Sequence, residues 1–382
     1  MKYSLKSRGA AAMLAMGVSV AFIGIASPAY ASSRHTLTVR PGESIQAAID
    51  AAQPGDKIKI RAGTYHENVY VDKDGIELEG DGVRKTILLP PDTPTPNPCV
   101  NDGAVFGAVC VGFGPQPVDR FELEDMTIEG FLNGAFLVNT RNAEVERMVF
   151  ANNAVYGAFY NDSTGGDFHD NVAYGSEDAG LYFGDSPNAD VKVEDNEVYD
   201  NGNGILLRDA NNGRAEDNYI HDNCIGILLL NTGESEPLAT GWKIEDNKVV
   251  DNTHACAGEE EEGIPPTSGA GIIVAGASHN VVEDNEVNGN APSGPSGLGS
   301  GGILLLDTTG FGGSTASDNR IEDNDAHDNQ PFDISDDGTG SGNRFDDNDC
   351  DTSQPPGLCD NGDHHDGDHD GDRRDSNANR NV

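Results

Sequence analysis

The sequence predicts an all-β fold: a single parallel β-helix, a solenoid of short strands, with a short amino-terminal capping helix and a disordered acidic carboxy-terminal tail. Three observations carry this. One motif recurs about nine times between Leu123 and Asn348, most clearly as Val-Glu-Asp-Asn-Glu-Val-Tyr-Asp-Asn-Gly-Asn-Gly-Ile-Leu-Leu from Val193 and as Ala-Glu-Asp-Asn-Tyr-Ile-His-Asp-Asn-Cys-Ile-Gly-Ile-Leu-Leu from Ala215. Its basic period of 22 to 25 residues is that of solenoid units, which bury their apolar faces only by stacking. Within a copy the apolar residues, as at Val193, Val198, Ile205 and Leu207, fall in short runs rich in β-branched side chains between Asn, Asp and Gly. That is strand periodicity with turn punctuation. A leucine-rich repeat would need a helical segment in each unit, and none is written here.

The body of the repeat is punctuated by two asparagine columns. The first reads Met126, Met148, Asn171, Asn196, Asn218, Asn247, Asn285, Asn319 and Asn343; the second, five residues on, reads Asn153, Ser176, Asn201, Asn223, Asn252, Asn290, Asn324 and Asn348. Stacked turns lie about 4.8 Å apart, so identical amides, which both donate and accept, are expected to form buried ladders. These columns are scaffold.

The ends follow in order. Lys2, Lys6 and Arg8, the apolar run from Ala10 to Ala26 and Ala29-Tyr30-Ala31 lay out a secretory signal peptide over residues 1–31, with a mature chain starting near Ser32. Residues 32–56 form the cap, where Ser44 precedes a short amphipathic helix stopped by Pro54-Gly55. The β-helix is expected over 57–350, beginning with strands at 57–61, 69–71 and 76–78. Residues 351–382 hold a disulfide loop and a tail of Asp, His, Gly, Asn and Arg with almost nothing apolar, expected to be disordered. No later run approaches the roughly 20 apolar residues that span a bilayer. A secreted, extracellular protein without membrane insertion is the expectation.

The formal charge is −41, and removing the signal, which carries three cations and no acid, takes it to −44. Such a charge disfavours nucleic acid and anionic lipid and favours cations. Six cysteines in an exported chain read as disulfides, and many connectivities are open. Proximity favours Cys99 with Cys110, Cys224 with Cys256, and Cys350 with Cys359.

The stretch from Thr38 to Val69, with Pro-Gly-Glu-Ser-Ile-Gln-Ala-Ala-Ile-Asp-Ala-Ala and then Pro-Gly-Asp-Lys-Ile-Lys-Ile, resembles the cap and first turn of right-handed parallel β-helix proteins of the pectin-lyase-like superfamily. The Asn-x-Val-x-x-Asn-x-x-Gly-Ile-x-Leu units resemble their generic repeats, and together these cover roughly residues 36 to 350. The resemblance implies right-handedness. It implies no single activity, because the superfamily includes pectate lyases, polygalacturonases, pectin esterases, uronan epimerases and non-catalytic surface proteins. Their catalytic signatures are not written here: Asn139-Thr140-Arg141 and Arg320-Ile321-Glu322 stand where polygalacturonase motifs would be sought, the Asp-Pro-His of epimerases is missing, and the one tryptophan, Trp242, is outside any Gly-Arg-Pro-Trp of esterases.

Function is sought where copies differ. With Ile205 and Leu207 inward, Leu206 points out, and its column reads Phe136, Phe159, Tyr182, Leu206, Leu228, Ile273 and Leu304. Either a loop such as the Pro-rich stretch 90–117 covers this stripe, or it is a platform on which sugar rings or another protein stack. Beside it runs Asn139, Asp162, Asp185, Asp209, Asn231 and Asp307, next to Arg208. Carboxylates on neighbouring rungs suit calcium. By the resemblance to pectate lyases, Asp162, Asp185 and Asp209 would hold calcium and Arg208 would take the ring proton; a solvated Asp/Asn turn is the plainer account. A second acidic ridge runs through Asp170, Asp195, Asp217, Asp246, Asp284 and Asp318, and His169, His221, His254 and His279 stand isolated by column, while His364, His365 and His369 lie in the tail. Insertions at 253–268, with the Glu259–Glu262 run, and at 291–300 leave one corner on adjacent rungs; another at 233–241 leaves the opposite corner, placing Leu228, Ile273 and Leu304 between loops. The expected function is a secreted β-helix that binds an extracellular polysaccharide or cell-surface component without an intact catalytic set, the alternative being a calcium-dependent polysaccharide lyase or uronan epimerase.

Overall fold

The structure, a computed structural model, describes residues 34–360 except 102, 235–238 and 259–262. The expected signal peptide, the tail histidines and the Glu259–Glu262 run lie outside the described residues. The described residues wind through three long parallel sheets of 12, 11 and 11 strands. One turn takes a strand from each: Val191–Glu194 in the first sheet, Glu197–Tyr199 in the second and Asn203–Arg208 in the third. Each pairs with its counterpart one turn on, as Ile205 with Ile227 and Val193 with Ala215. The chain is thus all-β, with the helix α1 (Ile45–Ala51) at its start and a 3₁₀ turn at Thr309–Phe311.

Alternation decides what is inside. Val193, Val198, Ile205 and Leu207 are fully buried in one continuous core with the same positions of the neighbouring turns. Helix α1 begins where Ser44 Oγ accepts from the Ala47 amide at 3.0 Å. The Glu67 carboxylate accepts from the Ile45 and Gln46 amides, satisfying two more donors of the first turn. Ile45 and Ile49 close the end of the core. The three disulfides pair as proximity favours: Cys99 with Cys110, Cys224 with Cys256, Cys350 with Cys359.

The Glu-Asp-Asn triplet is explained corner by corner. The Glu ends an outward strand position. The Asp takes a left-handed backbone, at φ 55° for Asp170, 56° for Asp195, 55° for Asp217 and 54° for Asp246, which Asp tolerates better than most residues. The Asn then turns inward: Asn171, Asn196, Asn218, Asn247, Asn285, Asn324 and Asn348 form an unbroken ladder of amide-to-amide hydrogen bonds of 2.9 to 3.0 Å. Asn201, Asn223, Asn252, Asn290 and Asn329 form the second.

The expected column membership needs one correction. Asn324 and Asn348 belong to the first ladder, not the second, and Asn319 and Asn343 belong to neither. They continue a third ladder from Asn280, whose Oδ1 accepts from the Trp242 amide at 2.9 Å. The acidic ridge shifts likewise, Asp323 and not Asp318 following Asp284. A five-residue slip superposes one Asp-Asn on another, so the local pattern alone does not resist it.

Candidate functional site

The outer face of the third sheet carries the predicted stripe in the predicted register: Phe136 pairs with Phe159, Phe159 with Tyr182, Tyr182 with Leu206, then Leu228, Ile273 and Leu304. It is not an open platform. Tyr182, Leu206, Leu228, Ile273 and Leu304 are at most 5% exposed and form a second apolar cluster with Ile225 and Ala270. Flanking Tyr156, Leu230, Leu298 and Leu306 pack against it. The Pro-rich loop covers only the first rung, where Phe106 and Phe113 lie 5.4 and 5.7 Å from the Phe136 ring. The aromatic faces are also occupied by each other: Phe136 on Phe159 at 4.3 Å and 6°, Phe159 on Tyr182 at 4.5 Å and 9°. A sugar stacks on a ring face, and stacked rungs offer edges. The reading of Phe136, Phe159 and Tyr182 as a stacking platform is corrected accordingly.

The wall built by the two insertions that share a corner forms as expected, while residues 235–238 of the opposite insertion lie outside the described residues. The hairpin Ala255–Cys256 with Thr267–Ser268 meets the 291–300 loop through Ser293 Oγ to Thr253 O at 2.6 Å and the Gly297 amide to Pro266 O at 2.7 Å. Opposite, Thr308 Oγ1 donates to Asn231 O at 2.8 Å. The floor between them, at Leu228, Ile273 and Leu304, is buried rather than presented.

The aspartate column divides. Asn139, Asp162, Asp185 and Asp209 all have left-handed backbones, at φ 56°, 47°, 46° and 47°, so this too is a turn column. Asp209 is fully buried and spends both oxygens on Thr232, accepting from its amide at 2.8 Å and from its hydroxyl. Burial raises its pKa. Asp185 accepts from Asn161 Nδ2 at 2.8 Å, and Asp162 is exposed. Asp162, Asp185 and Asp209 are not among the described groups whose ligand atoms converge within 4.8 Å. The three-aspartate calcium set is therefore not assembled, and Asp209 is a structural residue.

Arg208 stands as predicted on the outer face, half-buried. Its Nη2 binds Glu234 Oε2 at 2.7 Å and its Nε lies 3.6 Å from Asp209 Oδ2. Burial works to lower its pKa, but Tyr182, Asp185, Asp209 and Glu234 outweigh that and raise it. A guanidinium so held keeps its proton, which suits binding an anion and not taking a proton from a sugar ring.

Sequence reasoning missed the other half of this face. Tyr156 and Asn203 occupy one outward column at the start of their strands, and Asp178 precedes the strand between them. The Tyr156 hydroxyl donates to Asp178 Oδ2 at 2.7 Å, and Asn203 Nδ2 lies 3.1 Å from Asp178 O and 3.3 Å from its Oδ1. Burial raises the Asp178 pKa, with both hydrogen bonds opposing. Arg208, at the far end of its strand, acts electrostatically on Asp178, Tyr156 and Tyr182. Strand alternation does not offer this column, because the position three residues before an outward one reads as inward. The four histidines named above each face a carboxylate: His169 lies among Glu144, Glu146 and Asp170, His221 between Glu197 and Asp222, His254 3.7 Å from Asp200 and His279 3.7 Å from Asp318.

The model of the right handed beta helix region matches residues 133–308. No curated protein matches the chain. Solved structures do. The A-module of the mannuronan C-5 epimerase AlgE4 of Azotobacter vinelandii is 19% identical with a TM-score of 0.53, over 81% of this chain and 91% of that one. A family 28 exopolygalacturonase of Yersinia enterocolitica is 13% identical with a TM-score of 0.53, over 84% and 77%. The catalytic unit of a GH87 α-1,3-glucanase of Streptomyces thermodiastaticus is 15% identical with a TM-score of 0.58, over 82% and 62%. At these identities the likeness is one of fold. The repeat, the three parallel sheets and the family model agree on the fold: the chain is a parallel β-helix whose residues 133–308 match the right handed beta helix region.

Proposed function

We propose that this protein is a secreted, non-catalytic binder of an extracellular polysaccharide, and that the contact is the polar window of the third sheet formed by Tyr156, Asp178, Asn203 and Arg208. The observation that carries this is the state of Arg208. It is a permanently charged fork whose outer partner is Glu234, a carboxylate 71% exposed. A uronate carboxylate reaching the window would replace Glu234 with the same charge-assisted hydrogen bonding. Asp178 and Asn203 supply an acceptor and an amide for sugar hydroxyls, and Tyr156 holds Asp178 in place. The solved structures of similar fold are named for action on mannuronan, polygalacturonate and α-1,3-glucan, which supports a carbohydrate partner.

The test is a calorimetric titration of the full chain with alginate, pectate and neutral glucans, alongside ultraviolet absorbance for unsaturated uronate with calcium present. Saturable binding of a uronan, weakened at least tenfold by Arg208→Ala and accompanied by no absorbance rise, is expected. An absorbance rise lost in Arg208→Ala would establish the calcium-dependent lyase instead. Uronate converted without a rise in absorbance, read by proton NMR, would establish an epimerase.

A further inference from the structure

Tyr182 is 2% exposed, yet among the described residues its hydroxyl makes no hydrogen bond. Nor is it one of the fully enclosed polar atoms left unpaired, so the oxygen reaches the surface. The ring faces are occupied, by Phe159 stacked at 4.5 Å and 9° and by Leu206, the register partner on the next rung. What the ring presents is the edge that carries the hydroxyl. A polar atom on so buried a side chain calls for a partner.

Gly184 fixes where that edge stands. In the outward column at the end of these strands, Asn161 pairs with Gly184 and Gly184 with Arg208. A Cβ at Gly184 would meet the Tyr182 hydroxyl oxygen at 2.2 Å and its Cζ at 2.4 Å. The backbone of Gly184 is not left-handed, so the ring and not the chain calls for glycine there. The ring thus lies along its own strand, and its hydroxyl fills the place of the side chain that Gly184 lacks. Rungs stack about 4.8 Å apart, which makes phenol and Arg208 guanidinium neighbours. Burial raises the Tyr182 pKa, Asp185 adding to this and Arg208 opposing it, so the hydroxyl keeps its proton and serves as a donor. The flanking Asn161 amide is already engaged by Asp185 at 2.8 Å. Glu234 fills the Arg208 guanidinium at 2.7 Å without bonding the Tyr182 hydroxyl.

We propose, resting on the polar window as the polysaccharide site, that the Tyr182 hydroxyl is a specificity-determining donor for the uronate that enters it. Arg208 takes the carboxylate, and Tyr182 donates to a second oxygen of the same sugar, a ring hydroxyl or the ring oxygen. Glu234 is tethered beside Arg208, so a carboxylate alone gains nothing by displacing it. The uronate gains the one bond that Glu234 does not make, and that bond decides the exchange. A neutral sugar lacks the first contact and a simple carboxylate lacks the second. Tyr182 acts here through its edge, as a hydrogen-bond donor that takes no proton from the sugar.

The full chain and its Tyr182→Phe variant are titrated calorimetrically with alginate and pectate, and both are melted without ligand. The substitution keeps the ring and removes one oxygen that has no partner in the fold. The melting midpoint is therefore expected to match the wild type while uronan binding weakens roughly 10- to 100-fold. Arg208→Lys keeps the charge and loses the planar guanidinium. Combined with Tyr182→Phe it is expected to lose less than the sum of the two single losses, because both groups hold one sugar. Undiminished binding by Tyr182→Phe beside weakened binding by Arg208→Ala overturns this role and leaves the window standing. Strictly additive losses place the two groups on different sugars and overturn it as well. A lowered melting midpoint for Tyr182→Phe does the same, by showing the hydroxyl bonded within the fold. Absence of uronan binding by the wild type removes the window itself, and this role with it.

Discussion

Asp209 and Thr232 are joined twice across one rung, the carboxylate accepting from the Thr232 amide at 2.8 Å and from its hydroxyl. Asp209→Ala leaves a buried amide unpaired, at a cost of about 1–3 kcal/mol. Asp162, in the same column but exposed, makes no comparable contact among the described residues, and Asp162→Ala is expected to change stability by less than about 0.5 kcal/mol. Chemical denaturation midpoints of the two variants measure the contrast. Equal losses would refute the division of the column.

The asparagine ladder makes a steeper prediction. Asn218 donates to Asn247 Oδ1 at 2.9 Å and to Val193 O at 2.8 Å, and accepts from Asn196 Nδ2 at 2.9 Å. Asn218→Ala breaks these in a buried site, so a loss of roughly 3 kcal/mol is expected; Asn348→Ala, equally buried on the last rung, loses its bond to Ile321 O and the acceptor for the Asn324 amides but no onward amide-to-amide bond, so about 2 kcal/mol is expected there. Repeat arrays unfold in segments, so amide exchange of the neighbouring rungs is the proper readout.

How far the sequence could be read depends on which residues repeat. The inward positions, the outward stripe and the ladder through Asn285 were legible because alternation and a period near 22 residues fix them together. Beyond Asn285 the insertions remove the period as a ruler, and Asp318-Asn319 and Asp323-Asn324 are equally good matches to the motif; only hydrogen bonding across rungs separates them. The burial of Leu228 and Ile273 was not legible, since it depends on how Leu298 from the 291–300 loop folds back. The Tyr156–Asp178 contact joins residues of different rungs that no repeat position links.

Acidity gives a third prediction. Burial raises the carboxyl pKa of Glu194, Asp217, Asp246 and Asp284, and the next rung's charge adds to it, from Glu216, Asp195, Asp217 and Asp246 respectively. A raised folded value means the native state binds protons more tightly, so this stability is fully present below the unfolded carboxylate value, near 4, and is lost as pH rises through the raised folded values. Groups held low act oppositely and only in stronger acid: Asp56 by the Gln53 amide, Glu322 by Arg320. The melting temperature is therefore expected to be higher at pH 5 than at pH 8 and to fall again below about pH 4. Because the ridge is solvent-facing, added salt should narrow the difference between pH 5 and pH 8. A flat profile at low salt would show that the ridge carries no net repulsion.

The single tryptophan makes the last prediction easy to follow. Trp242 is fully buried in the first sheet, its indole Nε1 donating to Ala210 O at 2.7 Å. Gly213 pairs with it across the rung, and a methyl group at Gly213 would stand 2.4 Å from the ring. The indole is held by its hydrogen bond and by the core around it, so it cannot swing aside as a flexible surface chain would. Gly213→Ala must then either push the indole off Ala210 or part the two strands, and overpacking of this kind costs typically 1–3 kcal/mol. The displacement is expected to shift the native tryptophan emission to longer wavelength and to lower the denaturation midpoint together. Trp242→Phe fills less of the same space and removes the donor, leaving Ala210 O unpaired; it should destabilise by about 1–3 kcal/mol yet relieve part of the Gly213→Ala penalty in the double variant. A double-mutant cycle with no coupling between the two positions would show that the crowding lies elsewhere.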